Sequence, residues 1–555
     1  MDAANDEVHT VLALIEGAGL VHPSGPLLSA FVTEALNPLL AARYAKARLL
    51  RGEGSSLVAD WSYIIESITI KGSTPRSPNA DERQSIIKRD GNRCCITGKR
   101  GTFRDPLVVA PILPVPSGWI TTRDEINNML GAFFGPPYLD WWLSYASNPD
   151  LMSPYHNHWL VRRSAAEAFA RGLVRLDRRQ PSMIEYEIRH VLIMPEEPIE
   201  IDGTYPLLGD HSRHGITKVD ARFLGSHARL SKSIQLVAVS KALSSKVPCQ
   251  PPVAKRKPLE FLFRKFSTVL SAVLSVALAA WRTLPSSIKF STYATMHKLG
   301  GLMYRQEHQL VQRLPFGLYL KRHGESAELR NEFNALRMVR RHTSIPTPLA
   351  LDVVSATAKP SGASSESYLL TTKVPGIPLF RCLHVLSDSD CEEIARQLKD
   401  YVVQLRAVPR SQRPGPNVIS NTLGEACRDC RIRGGMPIGP FANEAAFSQL
   451  LRFSDDPARR GHKIVFTHAD LNPRNILVDK VTRSDGTSGW RITGIVDWEN
   501  AGHYPEYWEY TKALFEGFRW PQRYNNIIHG VFSEFGDYSK EFDVEKRSWE
   551  SGDAV

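Results

Sequence analysis

Cysteine is scarce in this sequence, with 7 residues among 555, and the number is odd. Small secreted domains that rely on disulfides carry a dense and even set of cysteines, so this composition argues against that class. Cys427 and Cys430 have the C-x2-C spacing of a zinc site, but no second pair of ligands accompanies them. We therefore expect a reducing compartment and no structural zinc ion.

The N-terminus lacks the pattern of a secretory signal. Its first ten residues, MDAANDEVHT, are acidic, whereas a signal begins with basic residues and continues into an apolar run. We therefore expect a cytoplasmic protein, with the nucleus as the alternative location.

The apolar run that follows the middle of the chain is short. The charge-free stretch from Phe266 to Trp281 spans 16 residues, below the roughly 18 that a membrane-spanning helix needs. Because basic residues flank it, the stretch fits a helix that packs on a domain or lies at a membrane surface, with a span as the alternative. Any membrane association is expected through residues 259–284.

The chain is long enough for at least two domains, and 42% of its residues are hydrophobic. Its formal net charge is +11, from 69 Lys and Arg against 58 Asp and Glu. This excess permits anionic partners, among them nucleotides, nucleic acid and lipid headgroups, but it does not choose between them.

Changes in composition divide the chain into five parts. Apolar residues at helical spacing predict a helical lead-in over residues 1–70, and a region rich in aromatic residues and prolines follows over 71–245. Residues 246–289 combine a basic linker with the apolar helix. Mixed strand and helix patterns then fill 290–535, and residues 536–555 form a C-terminal tail.

Polar side chains gather at the ends of predicted strands in the 290–535 region. One strand ends in a lysine, and the amphipathic helix after it carries a glutamate beside its apolar stripe. Further on, the stretch FTHADLNPRNILVD leaves a histidine, an aspartate and an asparagine between two strands, and a later strand ends in a second aspartate. In chain order these residues are Lys321, Glu332, His468, Asp470, Asn475 and Asp497.

Phosphoryl transfer from a nucleotide needs these residue types. A carboxylate and an amide hold a divalent metal ion, a second carboxylate orients the incoming hydroxyl, and a lysine contacts the phosphates. An Asp-x4-Asn pair alone is weak evidence. Here a strand lysine and a helix glutamate precede the pair and an aspartate at a strand end follows it, so the combination predicts a phosphotransferase.

The motifs HADLNPRN and GIVDWE resemble the catalytic and metal-binding loops of the aminoglycoside phosphotransferase family, and the flanking stretches resemble its fungal members. The resemblance implies a bilobal protein-kinase-like fold that uses ATP or GTP together with Mg²⁺. It also implies a role for each of the residues above. Asp470 would be the catalytic base braced by His468, Asn475 and Asp497 would bind Mg²⁺, and Lys321, paired with Glu332, would hold the nucleotide phosphates.

The sequence departs from the protein-kinase pattern in two places. Asn472 stands two residues after Asp470, where protein kinases carry a lysine, and no activation-loop signature follows. We therefore expect a small-molecule acceptor rather than a protein. The glycine-rich cover over the phosphates is also reduced, to Gly300 and Gly301.

The stretch WENAGHYPEYWEYTK leaves the charge of the acceptor open. Its glutamates and aromatic rings could bind a cationic group through charge and ring faces. The alternative is that the rings belong to the core of the helical lobe. The residues concerned are Trp498, Glu499, Tyr504, Glu506, Tyr507, Trp508, Glu509 and Tyr510.

The N-terminal region contains RDGNRCCITGKR and NHWLVRRSAAEAFARG, which resemble the HNH-nuclease-like domains of fungal proteins. In such domains histidines bind one metal ion that activates water. Here Pro111 and Ala166 stand at the two histidine positions, while Asn157 and Phe169 match their neighbours. We expect an HNH-like scaffold without nuclease chemistry. His156 and His158 are expected in a surface loop, with a shifted pair of metal ligands as the alternative.

The sequence as a whole predicts an α+β protein of two domains, an HNH-like α+β region followed by a bilobal protein-kinase-like fold. The predicted function is nucleotide- and Mg-dependent phosphoryl transfer to a small-molecule hydroxyl. Two alternatives stay open. One is a non-catalytic pseudokinase and HNH-like recognition module, and the other is a metal-dependent HNH nuclease with nucleic acid as its partner.

Overall fold

The structure is a computed structural model, and it describes residues 2–116, 124–149, 152–182, 184–195, 199, 201, 206–244, 279–304, 310–324, 326–355, 366–410, 417–483, 486–515 and 517–551. Contacts between residues divide the chain into two compact units. Unit 1 comprises Met1–Lys246 with His384–Asp388, and unit 2 comprises Val247–Leu383 with Ser389–Val555. Each unit contains both helices and strands, in agreement with the mixed class expected from the sequence.

The described ranges contain no helix with both the length and the apolar character that crossing a bilayer requires. The apolar helix predicted at 266–281 lies outside these ranges, except for its last three residues.

Unit 1 begins with helices, as the apolar spacing of its first 70 residues predicts. Its core forms where Phe31 and Trp61 pack edge to face with ring centroids 5.0 Å apart, and Trp61 Nε1 donates to Ser233 Oγ at 3.0 Å. The elements are α1 (Asp2–Gly17), α2 (Ser24–Thr33), α3 (Pro38–Leu50), α4 (Gly54–Thr69), α5 (Ala80–Arg89), β1 (Leu107–Pro111), α6 (Asp124–Phe134), α7 (Pro136–Ser147), α8 (Pro154–Asn157), β2 (His158–Arg162), α9 (Arg163–Ala170), β3 (Val174–Arg178), β4 (Tyr186–His190) and α10 (Ala221–Ser244).

Strands β1 and β2 form an antiparallel pair, and α9 follows β2 directly. The Asn157 side chain ties the two strands together, because it accepts from Leu113 N at 3.0 Å and donates to Leu113 O at 2.8 Å. The expectation that His158 lies in a surface loop is wrong. Its side chain is buried, with Nδ1 3.1 Å from Pro154 O, so it packs in the interior of unit 1.

The first part of unit 2 is an antiparallel sheet with a helix on each face. The described strands run in the order β5-β6-β8-β7. Leu320 of β6 packs against the helix before the sheet, and Lys321, the next residue, faces the helix after β6, since strand side chains alternate. The elements are α11 (Ser286–Met303), β5 (Val311–Leu314), β6 (Leu318–His323), α12 (Ser326–His342), β7 (Ala350–Ser355) and β8 (Ser367–Thr372).

Gly300 and Gly301 lie inside helix α11, so they do not form the residual phosphate cover that the sequence suggested. A Cβ atom on Gly300 would come within 2.8 Å of Arg313 O and 2.9 Å of Leu314 Cδ2 on strand β5. At Gly301 the nearest atom would be 3.7 Å away. Gly300 therefore allows close packing of the helix on the sheet.

Replacing Gly300 with alanine is expected to destabilise unit 2 by about 1–3 kcal/mol, because the added methyl group overlaps the main-chain oxygen of Arg313 and the side chain of Leu314 on β5. The matched control is Gly301→Ala, which stands in the same helix with open space around it and is expected to be neutral or slightly stabilising. Urea unfolding of the full chain measures both variants. Equal stabilities would contradict the packing role of Gly300.

The second part of unit 2 contains short strands and helices. Its described strands form two small sheets, β13-β12-β9 and β10-β14-β11. The elements are β9 (Ile377–Pro378), α13 (Leu379–Cys382), α14 (Asp388–Arg406), β10 (Ser420–Asn421), α15 (Glu444–Ser448), β11 (Ile464–Thr467), β12 (Ile476–Thr482), β13 (Ser488–Ile495), β14 (Gly502–Pro505), α16 (Trp508–Phe515), α17 (Gln522–Phe532) and α18 (Ser539–Glu550).

His462 links two helices of this part through carboxylates on both sides of its ring. Nδ1 lies 2.6 Å from Glu444 Oε1, and Nε2 lies 3.1 Å from Glu541 Oε1. Burial alone would lower the pKa of His462, but the hydrogen bonds to both glutamates raise it to about 9. Both ring nitrogens can donate only in the charged form, so the folded state binds a proton here.

This pairing predicts a pH-dependent stability. The folded-state pKa lies above the usual value of 6.5, so the contribution of His462 is complete below pH 6.5 and is lost as the pH rises through 9. His462→Gln should cost on the order of 1–3 kcal/mol at pH 6 and less at pH 9.5. Urea unfolding at both pH values tests this, with the exposed His342→Gln as control. A pH-independent cost would contradict the charged pairing.

Candidate active site

Lys321 is the meeting point of three carboxylates in unit 2. Its Nζ donates to Glu332 of α12 at 2.8 Å, to Asp497 at 2.5 Å and to Glu499 at 2.7 Å. Burial would lower the pKa of Lys321, but the three carboxylates hold it well above its usual value. The ammonium therefore stays charged and connects the first part of the unit with the segment that follows β13.

Three carboxylates surround the single positive charge of Lys321. Oxygen atoms of Glu332, Asp497 and Glu499 all lie within 4.8 Å of one another. Burial raises the pKa of Glu332 to about 7, against the opposing effect of Lys321 and with the help of the other two carboxylates. A compact set of oxygen donors with excess negative charge has the chemistry that Mg²⁺ prefers in proteins.

Glu499 is a member of this group that the sequence did not reveal. The segment that carries it is held against α12 by Asn331, whose Nδ2 donates to the main-chain oxygens of Glu499 at 2.7 Å and Ala501 at 2.9 Å. Asn331 is itself buried beside Glu332. Asn331 of α12 thus fixes the backbone of this segment, and Glu332, the next residue of the helix, contributes one carboxylate of the cluster.

Asp470 lies in the loop between β11 and β12, next to Asn475. The Asn475 side-chain nitrogen donates to Asp470 Oδ2 at 3.0 Å and to its main-chain oxygen at 2.9 Å, which leaves Oδ1 of Asn475 as its acceptor. Burial raises the pKa of Asp470 to about 6, an effect that Lys512 opposes and Asp497 strengthens.

His468 joins the loop of Asp470 to the segment of Asp497. Its Nδ1 accepts from Asp470 N at 3.2 Å, so the proton resides on Nε2, which donates to Val496 O at 3.0 Å. A main-chain bond from Val496 N to Asn475 O, 3.0 Å long, runs alongside. Burial lowers the pKa of His468, consistent with a neutral ring that positions backbone.

Two of the loop residues have backbone conformations that L-residues rarely adopt. Ala469 has φ 59° and Asp497 has φ 67°, both in the left-handed region. Such conformations persist where the surrounding contacts over-determine them, and they are frequent at functional sites. The Asp497 carboxylate contacts Lys321 Nζ, and 38% of its side chain remains exposed to solvent.

Glu509 of α16 is buried and holds the loop on both sides of Asp470. Its carboxylate accepts from the main-chain N–H groups of His468 at 2.6 Å, Ala469 at 3.1 Å and Leu471 at 3.4 Å. Burial raises the pKa of Glu509, against the opposing effects of His468 and these N–H groups. Its function is to support the loop, which the sequence pattern did not indicate.

The aromatic rings of the stretch WENAGHYPEYWEYTK belong to the core, so they do not line the cation pocket that the sequence left open. Glu509 supports the loop, and Glu499 is bound by Lys321. Glu506 lies 3.6 Å from Arg406 Nη1. The rings with little or no exposed surface are Trp498, Tyr504, Tyr507, Trp508 and Tyr510.

The support from Glu509 predicts a local effect of Glu509→Gln. The NH2 group of glutamine would face main-chain N–H groups in place of a carboxylate oxygen. The lost hydrogen bonds should lower the free energy of unfolding by about 1–3 kcal/mol. Hydrogen exchange at the amides of 468–471 should become faster than in the wild type, and the unfolding midpoint should fall. Glu506→Gln, three residues earlier and nearer the surface, is the control. Unchanged exchange at these amides would rule out the supporting role.

Comparison with known proteins adds one family to these observations. Residues 306–539 match the model of the phosphotransferase enzyme family. A search of curated proteins found no match to the chain.

Solved structures with similarity to the chain include three kinases. An apo form of a thermostable mutant of aminoglycoside phosphotransferase APH(4)-Ia is 15% identical, with a TM-score of 0.30, and the match covers 43% of this chain and 80% of that chain. The GDP and kanamycin complex of a second aminoglycoside phosphotransferase is 16% identical, with a TM-score of 0.32 and coverages of 46% and 86%. Choline kinase LicA from Streptococcus pneumoniae is 13% identical, with a TM-score of 0.24 and coverages of 45% and 84%.

The family match covers the part of the chain that contains all six predicted site residues. Residues 306–539 are therefore similar to the phosphotransferase enzyme family over the whole of the candidate active site.

Proposed function

We propose that residues 290–535 form a Mg²⁺- and nucleotide-dependent phosphotransferase that acts on the hydroxyl group of a small molecule. The observation that supports this most strongly is the group of three carboxylates around Lys321, with the pair of Asp470 and Asn475 beside it. The family match over residues 306–539 supports the same reaction class.

The residues fit a magnesium ion by the chemistry of their donors. Asp497 and Asn475 would hold it through a carboxylate and an amide oxygen, and Glu499 would add a further oxygen. When bound, such an ion neutralises charge on the nucleotide phosphates. Lys321 would exchange carboxylate oxygens for phosphate oxygens while keeping its contact with Glu332.

Asp470 would act as the general base. Its carboxylate would accept the proton of the acceptor hydroxyl while the hydroxyl oxygen attacks the terminal phosphorus of the nucleotide. The bond between that phosphorus and the bridging oxygen would break, and the nucleoside diphosphate would leave. Burial raises the pKa of Asp470 to about 6, close to the working range of a base near neutral pH. His468 and Glu509 keep the base in place by fixing the backbone around it.

The test is Mg²⁺-dependent binding and hydrolysis of ATP and GTP by the full chain, compared with Asp497→Ala and Asp470→Ala. Asp497→Ala should lose metal-dependent binding, because it removes a metal ligand. Asp470→Ala should keep binding and lose about 100-fold or more of the hydrolysis rate, because it removes the base. Asp479→Ala, an exposed aspartate on β12, is the control and should match the wild type.

A non-catalytic recognition module is the second candidate, and the position of Gly300 and Gly301 favours it. Both glycines lie within helix α11, so neither contributes a phosphate cover. Binding of nucleotide without turnover in the wild type, with Asp470→Ala unchanged, would favour this module over the phosphotransferase.

The HNH-like scaffold in residues 71–245 remains part of the proposal. Pro111 ends β1 and Ala166 lies in α9, so the two positions that would supply imidazoles carry none. His158 nearby is buried and contacts a main-chain oxygen. We therefore propose no nuclease activity. Plasmid cleavage by the same preparations that survives Asp470→Ala and stops on chelation would reverse this.

A further inference from the structure

Lys512 of α16 places a buried cation beside the proposed base. Its ammonium lies 3.9 Å from Asp470 Oδ1, 3.6 Å from Asp429 Oδ1 and 2.9 Å from Cys430 Sγ. The side chain is only 5% exposed. A charged group at this depth loses most of its hydration, so its position must be offset by nearby negative charge.

Asp429 has a second cationic partner besides Lys512. Its carboxylate already binds Arg431 through two hydrogen bonds, from Nε at 3.0 Å and from Nη2 at 2.9 Å. Arg431 also donates to Glu545 at 2.6 Å. Lys512 is thus shared between Asp429, which also has Arg431, and Asp470, whose Oδ1 lies 3.9 Å from the ammonium.

The loop of Asp470 supplies no cation of its own at the second position after the base. Asn472 stands there, and its side chain is used within the loop. Nδ2 donates to Asp470 O at 3.3 Å, and Oδ1 accepts from Arg474 N at 3.0 Å. The positive charge next to Asp470 comes instead from a helix some forty residues further along the chain.

The two oxygens of Asp470 have different partners. Oδ2 accepts from Asn475 Nδ2 at 3.0 Å, and Oδ1 faces the Lys512 ammonium at 3.9 Å. The hydrogen bond to Oδ2 and the cation 3.9 Å from Oδ1 favour the same orientation of the carboxylate. Its orientation toward an incoming hydroxyl is therefore fixed before the acceptor binds, which is the condition for efficient proton transfer.

We propose that Lys512 is a positioning residue of this site, which holds the Asp470 carboxylate in its reactive orientation from helix α16. This inference rests on the phosphotransferase proposed above. Lys512 acts through Asp470 and not through the nucleotide, so its loss should reduce turnover and leave nucleotide affinity nearly unchanged.

The experiment compares Lys512→Met and Lys512→Arg with the wild type, in the full chain, with Mg-ATP and Mg-GTP as probes and water as acceptor. Lys512→Met should lower kcat for hydrolysis by about 10- to 100-fold, with the Kd for Mg-nucleotide within about twofold of the wild type. Lys512→Arg, which keeps the charge, should recover part of the rate.

Two controls separate positioning from packing. Lys289→Met removes another buried lysine of unit 2, whose Nζ lies 3.4 Å from Asp352 Oδ1, and it should leave kcat unchanged. Cys430→Ala removes the thiol contact of Lys512 and should also leave kcat unchanged. If Lys512→Met melts below the assay temperature, Lys512→Gln is measured instead, because the glutamine amide can still contact Asp429. The same loss of rate is expected for Lys512→Gln.

The outcomes are distinct. A wild type that does not hydrolyse either nucleotide overturns the phosphotransferase and this inference together. An active wild type with an equally active Lys512→Met overturns the positioning role alone. A lower rate in Lys512→Met that Lys512→Arg does not restore, or that Lys289→Met reproduces, assigns Lys512 to packing.

Discussion

The ammonium of Lys321 holds the candidate site together. Three carboxylates converge on it from two separate parts of unit 2, α12 and the segment after β13. Without the cation, Glu332, Asp497 and Glu499 would repel one another across less than 5 Å. With it, the group keeps an excess of negative charge that is only partly compensated. In the proposed function, this excess of negative charge is what would attract a divalent cation.

Charged groups can remain this close only if the backbone that carries them is held rigidly. The structure achieves this with buried side chains that bind main-chain groups: Glu509 on the loop of Asp470, Asn331 on the segment of Glu499, and His468 between the two loops. Positive φ angles at Ala469 and Asp497 fit the same picture, since they need strong local contacts. These three buried side chains thus position the backbone that carries Asp470, Asp497 and Glu499.

The electrostatic environment differs between the two halves of the site. The cluster around Lys321 is acidic, whereas Asp470 lies close to the cation of Lys512, which is anchored in a buried network with Arg431 and Asp429. The aromatic residues that could have formed a pocket for a cationic acceptor are used as core. These buried rings are therefore not available to contact a ligand.

The sequence alone determined the residues whose spacing is local. The loop HADLNPRN fixes Asp470 and Asn475 within six residues, and strand and helix periodicity identified Lys321 and Glu332, which the structure pairs at 2.8 Å. Hydrophobic periodicity also predicted that the first 70 residues are helical, and the structure divides them into four helices. These features depend on neighbours along the chain, so the pattern of residues is sufficient to find them.

Only the tertiary structure decided the roles of Glu499, Glu509 and Lys512. Each acts on a segment far away in sequence, 178 residues for Glu499 and Lys321 and 41 for Glu509 and His468, and no local pattern marks such a contact. Gly300 and Gly301 show the same limit, because a glycine pair has the same letters in a phosphate loop and in a helix. The packing of Gly300 against β5 shows that the pair belongs to a helix, since the space around a residue is a property of the folded chain.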